Sequence, residues 1–256
     1  GRRAGKGSQS RIDLVLKAMQ EICDKKARFQ RTPGVRVAAS TAERYQSTEL
    51  LNAPPITRWG RIAKRTMDFI GSIFLLVVLL PVMAIVLLLI KLEDGGAAIY
   101  RRRVIGPEGE FDAFKLRSMR VDADKVLERD LALRKEFEIN FKLKNDPRVT
   151  RTGAFIRKLS LDELPQLFNV LRGQMSLVGP RMITPPELKK YGDAGWIFGS
   201  MKPGLTGYWQ VCGRQEVCYS DRVEMDLHYV RNWSLWMDVS ILIRTPMRVL
   251  RGAGAY

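Results

Sequence analysis

From Phe69 to Ile90 the chain carries no charged residue. As an α-helix rising 1.5 Å per residue, this run of about 22 residues reaches about 33 Å, enough to cross the hydrocarbon core of a bilayer. A domain of this size could bury so long a Leu/Val/Ile helix only at high cost, so the run is expected in a membrane. Pro81 falls near its middle. Proline deletes one helical hydrogen bond and crowds the preceding turn, which kinks or breaks a helix. Arg61, Lys64 and Arg65 precede the run; Lys91 and Arg101-Arg102-Arg103 follow it. Lys and Arg collect on cytoplasmic flanks. Two basic flanks therefore favour a helix that enters, bends at Pro81 and leaves by the same face.

That segment divides the chain into three expected parts. Residues 1–57 form a basic N-terminal extension. In it Ile12, Val15, Leu16, Met19 and Cys23 fall at helical spacing, which predicts one amphipathic helix over 11–29, followed by a linker. Residues 58–92 are the membrane-embedded helix with its flanks. Residues 93–256 have the patterning of a water-exposed domain, placed on the cytoplasmic face. Gly106-Pro107-Glu108-Gly109 reads as a turn and Phe111 to Leu116 as a short strand. Helices are expected over 122–143, over 164–171 with Gly173 as the stop, and from about Ser220. Residues 241–250 are apolar and basic, suited to a membrane surface. The fold class is α+β, mostly helical, with a small β element.

The net charge is +16, from 43 Lys and Arg against 27 Asp and Glu, which calls for an anionic partner. Nucleic acid fits poorly, because the basic residues crowd the membrane flanks and no basic stripe with interleaved aromatics is present. Three cysteines, Cys23, Cys212 and Cys218, make no disulfide framework and are expected as plain thiols. The single histidine, His228, leaves no His/Cys set for zinc and reads as a packed residue. Neither Gly-x-x-x-x-Gly-Lys-Ser/Thr nor Gly-x-Gly-x-x-Gly occurs, so the standard nucleotide loops are not indicated.

The densest set of reactive groups is Arg157-Lys158-Leu159-Ser160-Leu161-Asp162-Glu163-Leu164-Pro165. Ser160 and Glu163 have capping-box spacing, so a purely structural role is open. Pro165 belongs in the first turn of a helix, which moves the expected N-cap to Asp162. A carboxylate there would stay ionised beside Arg157 and Lys158, near N–H groups that favour phosphate. An ionised carboxylate can attack phosphorus, and two adjacent ones can hold Mg²⁺. A second cluster, Ser176-Leu177-Val178-Gly179-Pro180-Arg181, presents one guanidinium from a Gly-Pro turn, a fair clamp for phosphate oxygens.

From about Trp59 to Tyr256 these motifs together resemble the monotopic phosphoglycosyl transferases, the bacterial sugar transferase family. The resemblance rests on Lys64-Arg65 with Asp68, Phe114-Lys115-Leu116-Arg117-Ser118-Met119, and Asp146-Pro147-Arg148-Val149-Thr150-Arg151. It continues through the Asp162-Glu163 and Gly179-Pro180-Arg181 segments, Lys202-Pro203-Gly204-Leu205-Thr206-Gly207, and Asp226 near Tyr229-Val230. It implies a re-entrant helix and a catalytic domain that moves a hexose-1-phosphate from a UDP-sugar to polyprenyl (undecaprenyl) phosphate, at the bacterial inner membrane. UMP would leave, and an exopolysaccharide or other glycoconjugate would be started, with glucose or galactose favoured. Asp162 is implied as nucleophile and Glu163 as its partner, both holding Mg²⁺. Arg157, Arg181, Lys115 and Arg117 are expected at substrate phosphates, with Asp226 and Arg148 as further candidates. A homo-oligomer is compatible with the pattern. Leu80 stands before Pro81 where family members often have Ser, and Met182 follows Arg181 where many have Pro. The rivals are a catalytically silent scaffold of the same fold and a membrane-tethered nucleic-acid binder.

Overall fold

The computed structural model describes residues 56–140, 143, 146–212 and 218–250. The expected helix over 11–29 lies outside the described residues. Helix α1, Arg58–Asp94, is 37 residues long. Thr57 starts it by accepting from Gly60 N–H at 3.1 Å. Gly95 ends it in the left-handed region, φ 72°, with its N–H on the Lys91 carbonyl. The helix is continuous through Pro81. Only 17% of its most apolar stretch is buried, which removes the reading of a soluble core helix. Phe69, Phe74, Val77, Leu80, Ile85 and Leu88 all stand exposed. So large an apolar face needs a non-aqueous neighbour.

The two ends of α1 dock onto the rest of the chain through polar contacts. Near its start, Lys64 Nζ donates to Asp238 Oδ2 at 2.7 Å and to the Val178 carbonyl at 2.8 Å. Arg65 caps the carbonyls of Val170 and Leu171 at 2.6 and 2.7 Å. Asp68 Oδ1 accepts from Ser176 Oγ and Leu177 N–H, both at 2.9 Å. Near its end, Val86 and Ile90 pack on Leu116 and Ile156, and Asp94 pairs with Arg117.

Strands β1 (Ile99–Gly106) and β2 (Gly109–Leu116) form an antiparallel hairpin, with Ile99 opposite Leu116 and Gly106 opposite Gly109. Gly109 takes φ 106°, a conformation the tight turn requires and a side chain would resist. The expected long helix over 122–143 is instead two, α2 (Ala123–Arg129) and α3 (Leu131–Asn140). Asp130 separates them: its backbone is extended, and its carboxylate caps the N–H groups of Ala132 and Leu133 at 3.0 Å. Acceptors that serve as caps compete with helix continuation.

Helix α4 (Arg151–Lys158) leads through Ser160 into a 3₁₀ turn, Leu161–Glu163, and then α5 (Gln166–Leu171). Strand β3 (Ser176–Val178) pairs in parallel with β4 (Gly204–Thr206). Between them lie two 3₁₀ turns, Pro185–Lys190 and Gly192–Trp196, and α6, Ile197–Ser200. Helices α7 (Tyr208–Cys212), α8 (Tyr219–Arg231) and α9 (Leu235–Leu250) complete the described chain. The core runs from Val104 and Ala113 of the hairpin through Leu167, Val170 and Met175 to Tyr229 and Ile241. Cys218 is an exposed free thiol. Cys212 is disulfide-bonded, which corrects the expectation of three plain thiols.

Candidate active site

The fold brings three segments to one place: the end of β2, the end of α4 and the 3₁₀ turn carrying Asp162 and Glu163. Asn169 of α5 sets the spacing. Its side chain accepts from Phe114 N–H at 3.0 Å and donates to the Asp112 carbonyl at 2.8 Å. This fastens α5 to the edge of β2 and brings Lys115 to the acidic pair. Gly153 sets the approach of α4, because a Cβ there would lie 1.9 Å from the Ser118 carbonyl oxygen.

Asp162 does not cap a helix, contrary to the spacing of Pro165. Ser160 adopts φ 55°, the one positive-φ non-glycine among the described residues, and reverses the chain. The acids then fall in the short 3₁₀ turn, and α5 begins only at Gln166. Backbone strain of this kind collects at functional sites.

Lys115 Nζ donates to Glu163 Oε1 at 2.7 Å and lies 3.8 Å from Asp162 Oδ2. The Asp162 side chain is only 13% exposed. Burial raises its pKa to about 6, against the opposing charge of Lys115, while ionised Glu163 pushes the same way as burial. Burial opposes ionisation of Glu163 too, but the charge and hydrogen bond of Lys115 outweigh it, with Arg181 and Arg102 adding to the effect. Glu163 is thus held below the usual carboxylate range. Two neighbouring acids are pushed apart: one kept ionised, the other made more basic.

Arg157 faces this pair. Its Nε donates to Ser118 Oγ at 2.8 Å, and burial lowers its pKa although the Asp162 charge opposes this. Arg148 stands behind it, bound to Asp146 through Nε and a terminal nitrogen at 2.8 and 2.7 Å, with its guanidinium 5.0 Å from the Phe137 ring. Arg117 is drawn to the end of α1 by Asp94. The structure therefore gathers Lys115, Arg157 and Arg181 around the acids, and sets Arg148 and Arg117 in ion pairs of their own.

Asp226 is fully buried under the Gly-Pro-Arg turn. It accepts from the backbone N–H of Arg181 at 3.3 Å and from the Tyr191 hydroxyl at 2.9 Å. Burial raises its pKa to about 7, although those two donors and the charges of Arg181 and Arg222 oppose the rise. Asp226 thereby holds the turn that presents Arg181. Sequence reasoning missed Ser118 as the partner of Arg157, Asn169 as the spacer, and Trp209 and Arg222 beside Arg181. Ser118 had a signal, its place inside the Phe114–Met119 motif, whereas Asn169 and Arg222 had none.

Among the described residues no three His, Cys, Asp or Glu side chains gather as a metal cage. Asp162 and Glu163 are two adjacent carboxylates, and Lys115 hydrogen-bonds one oxygen of Glu163. That suits Mg²⁺, which takes one or two carboxylates and completes its shell with water and substrate phosphate.

The family described as bacterial sugar transferase matches residues 59–252. The UDP-galactose-lipid carrier transferase of Erwinia amylovora is 50% identical over 77% of this chain and 42% of its own length. The exopolysaccharide production protein ExoY of Sinorhizobium fredii is 44% identical over 77% of this chain and 89% of its own length. The UDP-glucose:undecaprenyl-phosphate glucose-1-phosphate transferase of Escherichia coli is 36% identical over 79% of this chain and 43% of its own length. The chain thus spans less than half the length of two of these three relatives.

Proposed function

Because the chain belongs to the bacterial sugar transferase family, we propose that it moves a hexose-1-phosphate from a UDP-sugar to polyprenyl phosphate through an aspartyl-phosphosugar intermediate. The observation that carries this is the Asp162–Glu163 pair, split in basicity by Lys115 and faced by Arg157 and Arg181.

In the first step an ionised Asp162 oxygen attacks the sugar-side phosphorus. The bond from that phosphorus to the bridging oxygen breaks, and UMP leaves with the oxygen and its electron pair. In the second step an oxygen of polyprenyl phosphate attacks the same phosphorus, and the Asp162 carboxylate departs. The lipid then carries a diphosphate-linked sugar. Lys115 and Arg157 offset the repulsion between the carboxylate and an anionic substrate. Glu163, held ionised, assists the entering lipid phosphate. Mg²⁺ bound to Asp162 and Glu163 would supply charge neutralisation for the diphosphate. Two displacements also mean that a soluble sugar nucleotide and a lipid need not share the site.

A re-entrant α1 at the inner membrane, with the catalytic domain on the cytoplasmic face, fits the way the helix docks. Lys64 and Asp68 bind residues of β3 and α9 on one side of the apolar run, and Asp94 binds Arg117 on the other. A straight crossing would put these anchors on opposite sides of the bilayer, where one body cannot meet both without entering it. Cysteines introduced at Trp59 and Val121, 80% and 68% exposed, should both resist an impermeant reagent added from outside. Labelling of either one sinks the re-entrant topology.

The names of the relatives make galactose and glucose the first sugars to try. The test is intact-protein mass spectrometry with a set of UDP-sugars and no lipid acceptor. A hexose-phosphate adduct on Asp162, with one UMP released per adduct, is expected. Turnover that requires both substrates bound together would overturn the double displacement.

A further inference from the structure

Beyond Arg181 lies a group of cations and aromatics that this mechanism does not use. The Arg181 guanidinium lies 4.7 Å from the centroid of the Trp209 ring, and that of Arg222 lies 5.0 Å from the same centroid. Arg222 also stands 4.9 Å from the Tyr219 ring. Two guanidinium groups on one indole repel each other unless an anion lies between or beside them.

The nearby acids are already engaged. Asp226 takes the Arg181 backbone N–H and the Tyr191 hydroxyl. Glu187 takes the N–H and hydroxyl of Thr184 at 2.9 and 2.8 Å and pairs with Arg102 at 3.5 Å. Meanwhile Arg181 Nε, Arg222 Nε, Trp209 Nε1 and the Tyr219 hydroxyl are buried without a hydrogen-bond partner among the described residues. Trp209 as a whole is 5% exposed. A buried donor left unmade is costly, and these four, on side chains linked through Arg222 and the Trp209 ring, call for an acceptor-rich occupant. Burial pushes the Tyr219 hydroxyl up to about 12, so it remains a donor near neutral pH. Guanidinium forks, an indole N–H and a phenol are suited to phosphate oxygens and offer little to a neutral sugar.

We propose that Arg181, Arg222, Trp209 and Tyr219 form a phosphate pocket beside Glu163, with Arg222 and Trp209 as its inner wall. The pocket grips a phosphate at the site: the one that leaves with the nucleotide, or the headgroup of the lipid acceptor. Its catalytic role rests on the phosphoglycosyl transfer reading; its capacity to bind phosphate does not.

The test is calorimetric titration of the purified full chain with UMP, uridine and farnesyl phosphate, alongside Arg222→Gln, Arg222→Lys, Trp209→Phe and Tyr219→Phe. Losing a charge-assisted contact should weaken phosphate binding by roughly 10- to 100-fold in Arg222→Gln, while Arg222→Lys keeps part of it. Trp209→Phe and Tyr219→Phe each delete one donor and keep the ring, and should cost about 3- to 10-fold. Weakened UMP with unchanged uridine assigns the pocket to the nucleotide; weakened farnesyl phosphate with unchanged UMP assigns it to the lipid. If Arg222→Gln does not fold, the two phenylalanine variants decide. Wild-type affinity for both phosphates in these variants overturns the pocket. UMP release from UDP-sugars is measured in parallel. Failure of release with phosphate binding intact removes the transferase reading and leaves the pocket standing.

Discussion

Two clusters of buried acid and base in this fold differ in how completely their charges are matched. Around Lys64 every strong group is engaged. Asp238 receives Lys64, the Tyr229 hydroxyl at 2.7 Å and Trp233 Nε1 at 3.1 Å. The Lys64 and Asp238 side chains are 9% and 0% exposed. Around Asp162 the matching is partial. Lys115 favours Glu163 and leaves Asp162 at 3.8 Å, beyond hydrogen-bonding reach. A saturated network fixes geometry, here the docking of α1 on β3 and α9. An unsaturated one retains capacity for a ligand, at some expense in stability.

This contrast breaks most sharply at Asp162. Asp162→Asn replaces the carboxylate proposed to attack phosphorus with an amide, and UMP release should fall by more than about 1000-fold, as losing a nucleophile does elsewhere. The melting temperature should hold or rise, since a carboxylate that burial disfavours has gone. A large loss of stability in this variant would place Asp162 with the Lys64 cluster. Asp238→Ala tests the other side. It leaves Lys64 buried and unpaired, at a cost of about 3–5 kcal/mol in thermal unfolding. The double change Lys64→Met with Asp238→Leu should recover much of that cost, because replacing both ions can be nearly neutral. If Asp238→Ala melts like the parent, the network is not what holds α1.

Lys115 lies between the two extremes. Lys115→Gln should lower turnover by roughly 10- to 100-fold, the worth of one charged hydrogen bond. Its melting temperature should fall, though less than in Asp238→Ala, because the Glu163 side chain left without its partner is 30% exposed and reaches water. An unchanged rate would remove Lys115 from the site.

Much of this arrangement is legible along the chain, and what is not has identifiable physical causes. The uncharged run and its basic flanks announce α1, because lipid selects composition directly. Asp162 and Glu163 stand out because reactive acids beside bases form one local motif. Pro165 points to too early a helix start: proline restricts the turn it sits in, but the left-handed Ser160 sets the acids in a 3₁₀ turn and the helix begins only at Gln166. The 122–143 helix has a continuous amphipathic pattern, and one capping carboxylate, Asp130, divides it. Arg117 carries the charge expected of a phosphate ligand, yet α1 ends beside it and supplies Asp94. Trp209 and Arg222 reach Arg181 only through the packing of α7 and α8, so no spacing in the sequence joins them.

The smallest expected effect concerns Asp226, which is saturated by donors like Asp238 yet sits under the candidate site. Its pKa rises from 3.8 to about 7, chiefly through burial. Tyr191, Arg181 and Arg222 face it, and all three favour the ionised form without overcoming burial. The sign for stability follows. Below about pH 4 both folded and unfolded chains carry the proton at this position, and it adds no pH dependence. Between about 4 and 7 the unfolded chain ionises while the folded one stays protonated, so this group lowers stability as pH rises, and its effect levels off above 7. Asp226→Asn keeps one acceptor and cannot titrate. The melting temperature of the wild type, measured relative to Asp226→Asn, should therefore decline from pH 5 to pH 7.5. Taking the difference cancels the other carboxylates, which titrate alike in both proteins. Parallel curves over that range would mean that the Tyr191 and Arg181 donors keep Asp226 ionised, and that the Gly-Pro-Arg turn is held by a charge rather than by a neutral acid.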